Sequence, residues 1–243
     1  MRTAIILGAK SGIAKALAVS LAKRHVDLVL AARNSNELIP VKSELETSYN
    51  VSVSIVEFDA LNYSSHASFL QQIPKNTDAV FCVFGYLGSQ QLAEENSEEM
   101  LKIMETNYVG AVSILELFAG KFQQQHEGVI VGISSVAGDR GRQSNYFYGS
   151  SKAALTSYLS GLRNRLRIHN VQVVTVKPGY VKTAMTTHLQ LPKFITATAE
   201  EVAEEIMRAV AQNRNEIYVL PVWKYIMLVI KLIPERIFKR MKL

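Results

Sequence analysis

Four residue types in one stretch of this chain could do acid–base chemistry on a polar carbon–oxygen bond. Tyr148 and Lys152 are four residues apart, about one helical turn, so a helix would put the phenol and the ammonium on one face. A cation beside a phenol favours phenolate and tunes it for proton transfer near neutral pH. Ser135 lies thirteen residues before Tyr148, at the end of an apolar run, and Asn107 sits in a long amphipathic segment. A tyrosine four residues ahead of a lysine is common by chance. The accompanying Ser, Asn and a glycine-rich turn near the N-terminus give the pair its weight.

That turn is Leu7-Gly8-Ala9-Lys10-Ser11-Gly12-Ile13-Ala14. Gly8 permits a tight turn after a first strand and Gly12 lets the backbone approach a pyrophosphate. Ala14 allows close helix packing, and the helix N-terminus favours an anion. The second apolar run ends Ala31-Ala32-Arg33-Asn34, where an acidic residue would accept from the ribose 2′-hydroxyl of NAD. Arg33 and Lys10 could instead face a 2′-phosphate, though Arg33 also reads as a solvated loop residue. Asp59 follows the third run, either at the adenine edge or as a local helix cap near Asn62.

The elements that must position these groups follow from periodicity. Apolar runs at 3–7, 26–31, 51–58, 79–83, 129–133, 171–176 and 217–220 read as seven buried strands. Amphipathic segments at 12–24, 35–49, 63–73, 97–125, 145–168 and 199–212 read as the helices between them. Such alternation predicts a single doubly wound Rossmann-type α/β domain, a parallel sheet with helices on both faces. The chain has 243 residues, 48% hydrophobic, which suits one such domain. We place it at 1–221, with 222–243 as a basic amphipathic tail of the same domain. The segment 183–198 is polar and aperiodic and reads as a loop over the strand ends.

The single cysteine, Cys82, lies in an apolar run, which excludes a disulfide framework and a cysteine-rich metal site. The first apolar run is too short for a signal-peptide core, so a cytoplasmic protein is expected. Net charge is +6, and residues 222–243 carry six basic residues against one acid, a net +5. No nucleic-acid motif accompanies that charge. The tail's apolar run, from Val222 to Ile233, is shorter than the roughly 20 residues a spanning helix needs. It reads as an interfacial helix at the inner membrane face, or as a segment packed on its own domain or a second subunit.

These motifs together resemble the short-chain dehydrogenase/reductase family, from Arg2 to about Leu220. The resemblance implies strand order 3-2-1-4-5-6-7 and NAD(P)H-dependent reduction of a ketone, with NADP(H) preferred and NAD(H) as alternative. It implies that Tyr148 is the general acid and that Lys152 lowers its pKa and holds the nicotinamide ribose. Ser135 would orient the carbonyl, and Asn107 would support a proton-relay water. Cofactor contacts would come from Gly8, Lys10, Ser11, Gly12, Ile13, Arg33, Asp59, Gly85, Lys152, Pro178, Gly179, Val181 and Thr183. The chain departs from the family pattern at Leu7, usually Thr, and at Cys82-Val83-Phe84-Gly85, usually Asn-Asn-Ala-Gly. A homo-oligomer and no metal are expected.

Within the family, Phe84–Gly88, Ser134–Asn145, Thr183–Thr186 and the basic tail with Ile233-Pro234 look like the decaprenylphosphoryl-2-keto-β-D-erythro-pentose reductase branch. That branch reduces a lipid-linked keto sugar made by a flavin oxidase, a partner the resemblance therefore implies. Tyr86, Arg140, Arg142, Asn145 and His188 are the candidate substrate residues. Two rivals stay open. One is a reductase of a soluble sugar, steroid or acyl ketone, and the other is a non-catalytic dinucleotide-binding sensor. The complete Asn107/Ser135/Tyr148/Lys152 set speaks against the sensor.

Overall fold

A computed structural model describes residues 1–183 and 192–241 of the chain. His188 therefore lies outside the described residues. Seven parallel strands form the central sheet: β1 (Thr3–Leu7), β2 (Asp27–Ala32), β3 (Val53–Glu57), β4 (Thr77–Cys82), β5 (Gly128–Ile133), β6 (Val171–Lys177) and β9 (Glu216–Tyr218). Successive side chains in these strands point to opposite faces, and both faces are covered, so the strands read as unbroken apolar runs. Ile6, Leu28 and Phe81 face α1 (Gly12–Ala22), α2 (Ile39–Tyr49) and α8 (Ala199–Ala211). Ile5, Val29 and Val80 face α3 (His66–Gln72), α6 (Gly110–Gln125) and α7 (Tyr146–Leu166).

Two expectations need correction. The strand order is 3-2-1-4-5-6-9, not 3-2-1-4-5-6-7. The edge strand was located within a residue or two, but β7 (Tyr180–Val181) and β8 (Thr196–Ala197) precede it and pair with each other in a separate small sheet. The expected helix over 97–125 is three pieces: α5 (Ser97–Met104), a wide π turn over Glu105–Val109, and α6. In that turn the Gly110 N–H reaches back five residues to Glu105 O, with Asn107 at its centre. Such wide turns cluster at functional sites. A short helix, α4 (Gln90–Glu95), also precedes α5.

The tail folds back on the domain. In α9 (Val222–Leu232), Trp223 and Met227 are one turn apart and buried against Val136. The indole packs on Gly179, and its Nε1 donates to Ile195 O at 3.0 Å. A final turn, α10 (Glu235–Phe238), follows Pro234, where the missing N–H suits a helix start. Among the described residues, no helix is long and apolar enough to cross a membrane.

Candidate active site

The chemistry-bearing residues gather at the carboxyl ends of the strands, where ligands bind in open α/β sheets. Two cavities meet there, sharing Lys10, Ser11, Val83, Phe84 and Gly85 as a common wall. The first, about 610 Å³, is bounded by Gly8, Arg33, Asp59 and Tyr86. The second, about 570 Å³, holds Ser135, Tyr148 and Lys152 together with Pro178, Gly179, Val181 and Thr183.

The shared wall fits a pyrophosphate. Gly8 has φ +85°, and a Cβ there would stand 2.7 Å from the Phe84 backbone nitrogen, so no larger side chain fits that crossing. Ser11 caps α1, its Oγ accepting from Ala14 N at 3.2 Å. The Gly12 and Ile13 N–H groups lie in the helix's first turn, where no carbonyl of the helix itself can accept from them. Arg33 is exposed at the end of β2. Lys10 reaches Glu37 at 2.9 Å, so its charge is shared with a carboxylate. Asp59 borders the first cavity, and its Oδ1 accepts from Leu61 N at 3.0 Å in a turn ahead of the helix that Asn62 begins.

Lys152 is 3% exposed, and its Nζ donates to Ile133 O at 2.9 Å at the end of β5. Burial pushes the ammonium down to about 8, with Cys82 opposing weakly. The nitrogen stands 5.7 Å from the centre of the Tyr148 ring. Burial pushes the Tyr148 phenol up to about 12, and a hydrogen bond with Ser135 pulls the other way. The Lys152 ammonium is bonded to Ile133 O and makes no hydrogen bond to the phenol among the described residues. Ser135 Oγ accepts from Ala137 N at 3.1 Å, which leaves its proton to donate. Gly149, beside Tyr148, allows α7 to rest on the turn after Ser135, since a Cβ would stand 2.8 Å from Ala137 O.

Asn107 braces the loop after β4. Its Nδ2 donates to Tyr86 O at 2.6 Å and Ile103 O at 2.8 Å, and its Oδ1 accepts from Tyr86 N at 3.0 Å. Two expected substrate residues sit elsewhere. Tyr86 borders the first cavity, and its hydroxyl donates to the buried Glu99 carboxylate at 2.9 Å. Arg140 points away from the cavity and caps α9, donating to Ile230 O at 2.5 Å and Ile233 O at 2.7 Å. It also pairs with Glu235 at 3.0 Å. Arg142 and Asn145 do line the second cavity.

Sequence reasoning missed Trp223 and Ile230, which wall that cavity, and the ion cluster beneath it. Lys177 lies between Asp139 at 2.9 Å and Glu216 at 3.1 Å, and Tyr218 donates to Asp139 at 2.7 Å. The cluster ties the turn after Ser135 to β6 and β9. The i, i+4 spacing of Trp223 and Met227 was the available signal for the wall.

Two adjoining cavities over the strand ends of a seven-stranded parallel sheet, one at the glycine-rich turn and one with a Ser–Tyr–Lys cluster, have the layout of a Rossmann-type enzyme. Comparisons with known proteins agree. A family model described as short chain dehydrogenase matches residues 2–193. An uncharacterized oxidoreductase of Mycobacterium tuberculosis is 31% identical over 240 residues, 98% of this chain and 96% of its own. An NADP-dependent 3-hydroxy acid dehydrogenase of Schizosaccharomyces pombe is 28% identical over 229 residues, covering 88% of each chain. Among solved structures, a short-chain dehydrogenase from Sphingobium yanoikuyae in complex with NADPH superposes with TM-score 0.84 at 22% identity. That match covers 94% of this chain and 92% of the other. The chain belongs to the short-chain dehydrogenase/reductase family and is an oxidoreductase. The relatives' names give the family and not the branch.

Asp139→Asn tests the cluster beneath the site. The variant leaves the Lys177 ammonium, 7% exposed, with only the half-exposed Glu216. It is expected to lose about 2–4 kcal/mol of unfolding free energy in urea titrations, since breaking a buried pair strands a charge. An unchanged midpoint would show that the cluster does not anchor the turn.

Proposed function

We propose that this chain uses NADPH to reduce a ketone to a secondary alcohol. The observation that carries the reading is the placement of Ser135, Tyr148 and Lys152 at one end of a groove whose other end is the Gly8–Gly12 turn. When bound, the dinucleotide supplies a hydride to the carbonyl carbon. Tyr148 gives its phenolic proton to the carbonyl oxygen, so the C=O bond becomes CH–OH. The Ser135 hydroxyl hydrogen-bonds the same oxygen and holds it against Tyr148. Lys152, charged at neutral pH, favours the phenolate left behind until solvent returns the proton. Asn107 keeps the loop that carries Gly85 in place beside this pair.

The second strand supports NADP(H) over NAD(H). Ala32 and Arg33 stand where an acid would select the 2′-hydroxyl, and Arg33 is exposed at the cavity rim. The Schizosaccharomyces relative is named NADP-dependent, and the Sphingobium structure holds NADPH.

For the substrate, we propose a lipid-carried keto sugar, best represented by a polyprenylphosphoryl 2-keto pentose, reduced at a membrane surface. A flavin oxidase of the matching alcohol would supply the ketone. The tail supports this reading. One face of α9 is buried as the cavity wall, while Tyr225, Leu228, Val229 and Leu232 are 65%, 53%, 63% and 72% exposed. Phe194 and Ile237 are exposed as well, Lys224 and Lys231 flank one side of that face, and the exposed Arg236, Lys239 and Arg240 follow in the chain. An apolar face flanked by cations is the pattern of an interfacial helix.

Tyr148→Phe is expected to lower NADPH-dependent ketone reduction by about 10²–10⁴-fold, the contribution of a positioned general acid. NADPH binding, followed by nucleotide fluorescence, should stay within a few-fold. More than a tenth of the wild-type rate would refute the assignment. Replacing Arg236, Lys239 and Arg240 with Gln is expected to weaken cosedimentation with anionic vesicles at low salt by about two orders of magnitude, at about 1 kcal/mol per basic residue. Equal, salt-independent partitioning of both proteins would remove the membrane reading.

A further inference from the structure

Arg140 and Arg142 are two residues apart and face opposite situations. Arg140 is fully committed to the end of α9: three carbonyls, the Glu235 carboxylate and the Phe238 ring at 3.7 Å. Arg142 lies in the cavity with Ser135 and Tyr148, and among the described residues it pairs with no carboxylate. Its Nη2 meets the Met227 thioether at 3.1 Å, a weak acceptor, and its buried Nε meets none among the described residues. Asp139, the carboxylate whose field it feels, is held by Lys177 and Tyr218. Asn145 Oδ1, a buried acceptor in the same cavity, has no donor among the described residues. Ile133, Val136, Val181, Trp223 and Ile230 form much of the remaining wall, so charge there is weakly screened.

A partly buried guanidinium whose Nε is shut off from water is costly without an anion unless a ligand completes it. The Nε–Nη edge offers parallel N–H donors, the geometry that suits a carboxylate or phosphate. We infer that Arg142 is a specificity-determining residue that binds an anionic oxygen group, phosphate or carboxylate, carried by the ketone substrate, with Asn145 accepting from a neighbouring substrate hydroxyl. This rests on the reading of the second cavity as the carbonyl site.

The test uses the full chain saturated with NADP⁺, which fills the cofactor's own phosphate contacts. Inorganic phosphate and acetate serve as probes, each against chloride at equal ionic strength. Thermal unfolding of the wild type should rise with at least one anion, and which one distinguishes phosphate from carboxylate. Arg142→Gln should lose that rise, and Arg142→Lys, which keeps the charge without the fork, should keep part of it. No rise in the wild type, or an equal rise in Arg142→Gln, would overturn the inference.

A second arm compares dihydroxyacetone phosphate with dihydroxyacetone, and acetoacetate with methyl acetoacetate. In one pair the anionic member should be favoured in kcat/KM, and Arg142→Gln should cut that ratio by about tenfold or more, mainly through KM, as for one charge-assisted hydrogen bond. An unchanged ratio would count against Arg142. Arg142-dependent protection without turnover of any ketone would leave the anion site standing and sink the reductase reading. Reduction of the neutral ketones without any Arg142-dependent anion effect would do the reverse.

Discussion

The interaction on which this structure depends is the burial of one ammonium group. Lys152 is held at the end of β5 by a single carbonyl, Ile133 O, in surroundings that push its pKa down to about 8. An apolar core would not choose a lysine there. Its position fixes what surrounds it: β4 and β5 end side by side, Gly85 passes beneath, and α7 starts early enough to bring Tyr148 beside Ser135. Asp139 and Lys177 then clamp the turn after Ser135 to the far side of the sheet. The site is built on strand ends and helix starts, which hold their geometry better than loops do.

Much of the fold was legible because parallel strands buried on both faces read as plain apolar runs. The misreadings have definite causes. The π turn over Glu105–Val109 keeps the flanking amphipathic pattern, so 97–125 read as one helix. Helix α4 is six residues long and mostly polar, too short for periodicity to show. The pair Tyr180–Val181 and Thr196–Ala197 is two residues a side, which put the edge strand ninth rather than seventh. In the site, the Tyr148–Lys152 spacing and the Gly8–Gly12 turn were readable because their geometry is local. Arg140 and Arg142 were not separable by sequence. Which of them faces the cavity depends on carbonyls at Ile230 and Ile233, about ninety residues on. The Tyr86 hydroxyl's partner was not legible either, because Glu99 lies on a helix that the sequence merged with its neighbour.

Helix α9 links the two ends of the account. Its inner face, through Trp223 and Ile230, closes the cavity that holds Tyr148, and its outer face is apolar and flanked by Lys224 and Lys231. Arg140 fastens its end to the catalytic turn. A surface that engages the outer face would therefore bear directly on the wall of the cavity that holds Ser135 and Tyr148.

The central claim, that a charged lysine is kept buried for function at a cost in stability, is tested most directly by the thermal stability of Lys152→Met against wild type across pH. Below about pH 8, Lys152 is protonated in both folded and unfolded chains, and its burial cost is fully present. Between about 8 and its ordinary 10.5 the folded protein sheds the proton while the unfolded chain keeps it, so wild-type stability rises with pH. The variant should accordingly be more stable by about 1–3 kcal/mol near pH 7, with the gap narrowing towards pH 10. A variant less stable than wild type at neutral pH, or a gap that does not change with pH, would contradict the account.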